Sequence, residues 1–402
     1  MLGHIRETRR RAEYRRAVVA FAQGNYGVAI PILREASAAG EAHACALLGT
    51  AYLHAEGVPR DPERALRLYR RAATSGSGLG AYGLGWMALR GIVIPQNFHR
   101  AFIWFSLASQ RGEADAANEL GWMYLKGWGV PMDQTKSFLW FRRAAEAGSA
   151  AGMENLGCAY AKGVGTRQDG SRAIPWLRRS EQLGNVSALV FLGKMFLHGW
   201  GVVANYARAE RYLAQSSADG SLNGTNSLGW LYQHWPEKPQ DRALAIPLFK
   251  KAAKEGYVAA MYNLAWAYQH GIGTEVNLRK ATEWYGKTRA IFRRRAQMGD
   301  QAAAVNLGLI YLRGVPREAV RARQLFRRLA HVGNIQAAMV YATLELRGVG
   351  GPADEGAGLA WLKRVLRTGS PDLRGQAQNL ISAFSEASGR GGDKTAPATT
   401  RR

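Results

Sequence analysis

The chain has 402 residues, 47% hydrophobic and including 12 Trp, so it can bury a large core, and its length alone predicts two or three domains. Lys+Arg 54 against Asp+Glu 30 leaves a net charge of +24, which favours an acidic partner (nucleic acid, anionic membrane or acidic protein), although a high-GC genome that encodes arginine freely produces the same balance. Two distant cysteines, Cys45 and Cys158, exclude a disulfide framework and fit a reduced, cytoplasmic compartment.

The opening stretch, MLGHIRETRRRAEYRRAVVAFAQGNYGVAI, has charges but no apolar run ending in a small-residue cleavage site, so no secretory signal is expected. Nor does any apolar run reach membrane-spanning length. The cluster Arg6, Arg9, Arg10, Arg11, Arg15 and Arg16 can touch phosphate or lipid head groups, or be the solvated side of a helix.

From residue 41 onward a repeat overrules the domain count. The doublet Leu-Gly recurs every 36 residues at Leu48-Gly49, Leu84-Gly85, Leu120-Gly121, Leu156-Gly157, Leu192-Gly193 and Leu228-Gly229. Leu264-Ala265 keeps the register, Leu307-Gly308 follows after 43 residues, and a degenerate Tyr341-Ala342 after 34. Each of the nine units closes on a glycine, from Gly76 through Gly148 to Gly369, the residue type that ends a helix in the left-handed conformation. Within a unit, EADAANELGWMYLKG has helical spacing, WGVPMDQ breaks it and TKSFLWFRRAAEAG resumes it, which predicts a helix hairpin. A lone hairpin cannot bury its apolar faces, so neighbours must stack. In the third unit, Leu120 and Tyr124 share the packing face, Gly121 permits a close helix approach, Gly127 and Gly129 break the helix and Val130 plugs the turn.

The segments LGWMYLKGWGVPMDQTKSFLWFRRAAEAG and LGTAYLHAEGVPRDPERALRLYRRAATSG resemble the Sel-1-like repeat family, a relative of the tetratricopeptide solenoids, over roughly residues 41–369. The resemblance implies an all-α, right-handed α/α solenoid of nine hairpins with a helix-lined groove and helical caps at residues 1–40 and 370–387. Residues 388–402, SGRGGDKTAPATTRR, are too polar and too rich in Gly and Thr to pack and are expected to be disordered. Seven extra residues in EWYGKTRAIFRRRAQMG predict a second helix about 10 Å longer in the seventh unit. The spacer QHWPEKPQ, with two prolines, is expected to project as a stiff loop.

Two recurring positions stand out. The residue after the doublet is Trp in four units, Trp86, Trp122, Trp230 and Trp266, and the residue four further on is basic or His in all nine. Apart from His54 these are Arg90, Lys126, Lys162, His198, His234, His270, Arg313 and Arg347. Each Trp shares a helix face with its cation, and the resemblance places that face in the groove. One reading is an aromatic and cationic track for acidic peptide or single-stranded nucleic acid; the other is dipole matching at helix ends, with Trp packing between repeats. A second basic stripe, including Arg70-Arg71, Arg142-Arg143 and Arg178-Arg179, reads as an outer solvated face. His198, His234 and His270 sit on successive repeats about 10 Å or more apart, too far to share a zinc, so no metal and no cofactor is expected.

No Ser-x-x-Lys, His-Glu-x-x-His, phosphate-loop or nucleic-acid-module signature occurs, and the periodic GWGV and GIGT stretches are turns with no preceding strand. The expectation is a non-enzymatic, cytoplasmic, bacterial protein-binding scaffold or adaptor for complex assembly, signalling or toxin neutralisation, with an acidic protein partner. Nucleic-acid binding through a basic and aromatic groove is the alternative, and a hydrolase a weaker third.

Overall fold

The structure, a computed structural model, describes the backbone of residues 2–369 and 371–389, with side chains from 11–369 and 373–384. All regular elements among the described residues are helical. Helices α1 (Leu2–Ala22) and α2 (Tyr26–Ala38) precede the hairpins. The hairpins then follow as α3 (Ala42–His54) with α4 (Pro62–Thr74), α5 (Gly78–Arg90) with α6 (Phe98–Gln110), and α7 (Ala114–Lys126) with α8 (Gln134–Glu146). Next come α9 (Ala150–Lys162) with α10 (Gly170–Gln182), α11 (Val186–His198) with α12 (Tyr206–Ala218), and α13 (Leu222–His234) with α14 (Ala245–Lys254). The series ends with α15 (Val258–His270) and α16 (Leu278–Gln297), α17 (Gln301–Arg313) and α18 (Ala319–His331), α19 (Ile335–Leu346) and α20 (Glu355–Thr368), followed by α21 (Pro371–Gly389). The chain divides into two compact units, Met1–Gly224 and Thr225–Arg402. The architecture is a solenoid of helical hairpins, as the 36-residue period predicts.

Local chemistry sets the helix ends. Asp61, Asn97, Asp133, Asp169, Asn205 and Asn277 each cap a second helix by accepting a hydrogen bond from a backbone N–H in its first turn, supplying a partner that the helix itself lacks. These caps sit at one fixed place in the repeat, the residue before each second helix. First helices α3, α5, α7, α9, α11 and α15 close on a left-handed residue, Gly127 in α7 with φ 69°, whereas α17 closes on extended Gly314 and α19 on right-handed Arg347. Repeat-closing Gly148 has φ 97° with nothing near a would-be β-carbon, so backbone conformation alone selects glycine there. The last of the series departs: Gly369 is extended, with φ −76°.

The doublet glycines answer a different need. A β-carbon on Gly121 would stand 2.5 Å from Phe141 Cδ1, on Gly85 2.6 Å from Phe105, and on Gly157 2.6 Å from Leu177 Cγ. Each lets the second helix of its own hairpin press a side chain onto the backbone of the first, a phenylalanine ring at Gly85 and Gly121 and a leucine at Gly157. In the first unit one apolar core runs unbroken from Ile30 to Met123, with Phe105 and Leu120 fully buried. In the second, another joins Ala304 through Phe326 and Leu362 to Ala377, which brings α21 onto the last hairpin.

Two expectations about irregular segments had different outcomes. Helix α16 has 20 residues against 13 in α8, so the seven extra residues do lengthen the helix, by about 10 Å. The spacer QHWPEKPQ is exposed at Pro236, Glu237, Pro239 and Gln240 but anchored by buried Trp235, with Lys238 Nζ 4.1 Å from its ring centroid, and Pro239–Leu244 form a 3-10 helix that runs into a shortened α14. One large apolar side chain outweighs the stiffening of two prolines, because burying it ties the segment to the core. Of the tail expected to be disordered, Ser388 and Gly389 end α21 and residues 390–402 lie outside the described residues.

Candidate binding face of the first helices

Successive first helices touch one another in the first unit, α3 with α5, α7 with α9 and α9 with α11. Asn155 on α9 donates a hydrogen bond to Asn118 on α7 at 2.7 Å, and in the second unit Asn263 on α15 donates to Asn226 on α13 at 2.9 Å. These contacts align the face that carries the Trp and cation positions.

The four Trp/cation pairs form as their spacing predicts. Arg90 lies over the Trp86 ring at 4.9 Å and Lys126 over Trp122 at 5.6 Å. His234 stacks on Trp230 with centroids 4.0 Å apart, and His270 lies over Trp266 at 3.7 Å. Both histidines also donate through Nδ1 to the carbonyl of the Trp they cover, at 2.8 and 3.0 Å, which fixes each imidazole over its indole in the last helical turn. Each cation thus belongs partly to its own helix end, as the dipole reading anticipates, while remaining exposed. The Trp rings are half-buried: Trp86 meets Phe105 edge-on and Trp122 meets Phe141 in the same way, so the Phe that covers the doublet glycine also props up the Trp beside it.

The remaining predicted positions behave differently. Lys162 has Cys158 where other repeats have Trp, and it reaches to the next repeat, where its Nζ lies 4.3 Å from the Trp200 centroid and 5.4 Å from Phe191. His198 stacks on Trp200 at 5.0 Å. Arg313 is exposed at the end of α17, and Arg347 is the residue that caps the end of α19. The second stripe is solvent-exposed throughout, and its contacts are structural: Arg71 donates to the Ser37 carbonyl and Arg178 to the Tyr212 hydroxyl.

The first unit holds a cavity of about 640 Å³ between α3 and α5. Leu53, Tyr69, Tyr82 and Trp86 supply apolar surface, and His54, Arg60 and Arg90 supply cations. Gly83 leaves it open, since a β-carbon there would stand 2.5 Å from the Tyr69 ring. Arg60, invisible to a search for helical periodicity because it lies in the turn, is anchored by donating to the Leu53 carbonyl at 3.3 Å.

Carboxylates share this face. Glu119, on α7, is pushed from its ordinary 4.5 up to about 7, first by burial and then by Asp115, with Asn118 and the Arg90 charge opposing. The face is therefore mixed in sign, with apolar recesses. Cys158 is pushed up by burial, which keeps it a thiol and removes it as a nucleophile. Among the described residues no group of three or more His, Cys, Asp or Glu is placed to hold a metal, and no helix is long and apolar enough to cross a membrane.

Stacked helix pairs that align a row of first helices define a helical-repeat scaffold class. The chain belongs to the Sel1 repeat family: the Sel1 repeat profile matches nine segments, at 42–77, 78–113, 114–149, 150–185, 186–221, 226–257, 258–288, 301–334 and 335–364. Such repeat scaffolds generally mediate protein–protein interaction rather than catalysis. Among solved structures, the chain is similar to c5321, a protective antigen of uropathogenic Escherichia coli, at 26% identity and TM-score 0.51, covering 94% of this chain and 82% of that one. A Sel1 repeat protein from Oxalobacter formigenes matches at 25% identity and TM-score 0.51, over 60% of this chain and 99% of that one. Yeast Tom70 shares the fold at 12% identity and TM-score 0.50, over 94% of this chain and 89% of that one. No curated protein matches.

Proposed function

We propose that this chain is a cytoplasmic, bacterial adaptor that holds an acidic, partly apolar segment of a partner protein along a groove formed by its first helices. The observation that carries the reading is the cavity between α3 and α5, where Trp86, Tyr82 and Tyr69 offer an apolar socket and His54, Arg60 and Arg90 offer positive charge. An apolar anchor entering such a socket supplies affinity, and the cations select an acidic neighbour and fix its register. Within the first unit Trp122 with Lys126, and Lys162 with His198, present the same side-chain types; within the second unit Trp230 with His234, Trp266 with His270, and Arg313 and Arg347 do so separately. Complex assembly, signalling and toxin neutralisation are all roles that such holding serves.

The nucleic-acid alternative is weakened by Asp115 and Glu119 on the same face, because a polyphosphate laid along it would meet those carboxylates. The test is photo-cross-linking from within cells. A benzophenone amino acid replacing Leu79, in the cavity wall, is expected to join a discrete partner protein, and the same group replacing Arg142 on the exposed stripe is not. Adducts at Leu79 that nuclease digestion removes would reverse the choice.

A further inference from the structure

We propose that the first helices of the fourth and fifth repeats form a receptor for one glutamate or aspartate carboxylate of the partner segment, held among Lys162, Lys194 and His198. This rests on the scaffold reading and gives it a specific chemical demand at one place. Three observations meet here. Lys162 leaves the end of α9 and lies against both Trp200 and Phe191, whose rings are 5.4 Å apart and form a single apolar wall. His198 stacks on the same Trp200. One helical turn earlier on α11, half-buried Lys194 donates to Asn223 Oδ1 at 3.3 Å, a neutral acceptor that leaves its charge uncompensated.

Lys162 and Lys194 act on each other as like charges. Lys194 is held below its ordinary pKa by burial and by Lys162, and His198 by burial, Lys194 and Lys162. Glu154, the nearest carboxylate to act on adjacent Cys158, is already engaged by Asn185 and Ser187. Partly desolvated like charges are costly, and an incoming anion relieves that cost. A single carboxylate on a peptide fits better than a phosphate chain. The cluster is local, the aromatic wall takes the side chain's methylenes or an apolar neighbour, and the preceding first helices carry Glu154 on α9 and Glu119 on α7.

The experiment measures binding of the full chain, by fluorescence anisotropy, to a short blocked peptide alternating leucine and glutamate, to its leucine–glutamine counterpart, and to single-stranded DNA. The glutamate peptide is expected to bind at least about tenfold more tightly than the glutamine peptide. Lys162→Met and Lys194→Met are each expected to weaken it by about tenfold, and Lys194→Arg, which keeps the charge, to preserve most of the affinity. Glutamate-peptide affinity unchanged in the Lys162→Met/Lys194→Met double variant overturns the receptor. So does DNA that binds the wild-type chain more tightly than the peptide and loses affinity in the same variants. If peptide binding is lost in Trp86→Ala but not in the lysine variants, the receptor falls and the scaffold reading stands. If the wild-type chain binds neither peptide the receptor also falls, and cross-linking from Leu79 decides the scaffold reading separately.

Discussion

Gly121 lies beneath the ring of Phe141, so close that a β-carbon on Gly121 would stand 2.5 Å from two of its carbons. The contact joins the two helices of one hairpin and also supports Trp122, which meets Phe141 edge-on at 5.8 Å. Gly121→Ala is therefore expected to destabilise the chain by about 1–3 kcal/mol, as overpacking does, and to shift the Trp122 emission. Chemical denaturation followed by fluorescence measures both. Unchanged stability would mean that the hairpin accommodates a β-carbon at little cost, as the seventh repeat does with fully buried Ala265 at the same place.

Two turn residues carry a conformational cost that glycine bears elsewhere in the repeat. Ala55 and Val93 have φ of 61° and 64°, where Gly91 and Gly129 hold the same places in neighbouring units. Both side chains are exposed, so Ala55→Gly and Val93→Gly forfeit little packing. Each is expected to stabilise the chain by about 1 kcal/mol, the left-handed penalty less the entropy of the added glycine. Thermal melts of the two single variants check this.

Glu119 gives the stability a defined pH dependence. Its folded pKa is raised to about 7 from an ordinary 4.5, so between those values the folded chain binds more protons at this site than the unfolded chain does. Its contribution to stability therefore falls as pH rises through that window, and above it the buried charge is a fixed cost. Glu119→Gln is expected to raise the melting temperature at pH 8 and to change it little at pH 4. A variant that destabilises at pH 8 would show that the ionised carboxylate has partners that hold it.

Periodicity made the hairpins, the close glycine contacts and the Trp/cation pairs legible, because each depends on residues at fixed separations along one helix. The Lys162 site shows where such reading stops. Trp200 sits in the turn GWGV, which spacing alone marks as a helix break, yet its ring is the surface on which Lys162 and His198 meet. Lys194 occupies a position that is Trp in other units, and its partner Asn223 lies 29 residues away. Contacts between repeats depend on how helices stack, and no local pattern encodes them. Glu119 was missed for the same reason, since only the stacked structure shows it buried beside the Arg90 charge. Trp235 shows the opposite limit: its neighbours read as loop-forming, and burial of one ring overrides them.

The most direct test of the scaffold reading is capture from the source lysate by three immobilised chains. These are the wild type, Trp86→Ala/Arg90→Ala in the cavity wall, and Arg142→Ala/Arg143→Ala on the exposed stripe, each with and without nuclease. The account predicts a discrete protein that survives nuclease, is retained by the stripe variant and is lost from the cavity variant. A partner lost from the stripe variant and retained by the cavity variant, or nucleic acid as the sole captured species, would contradict it.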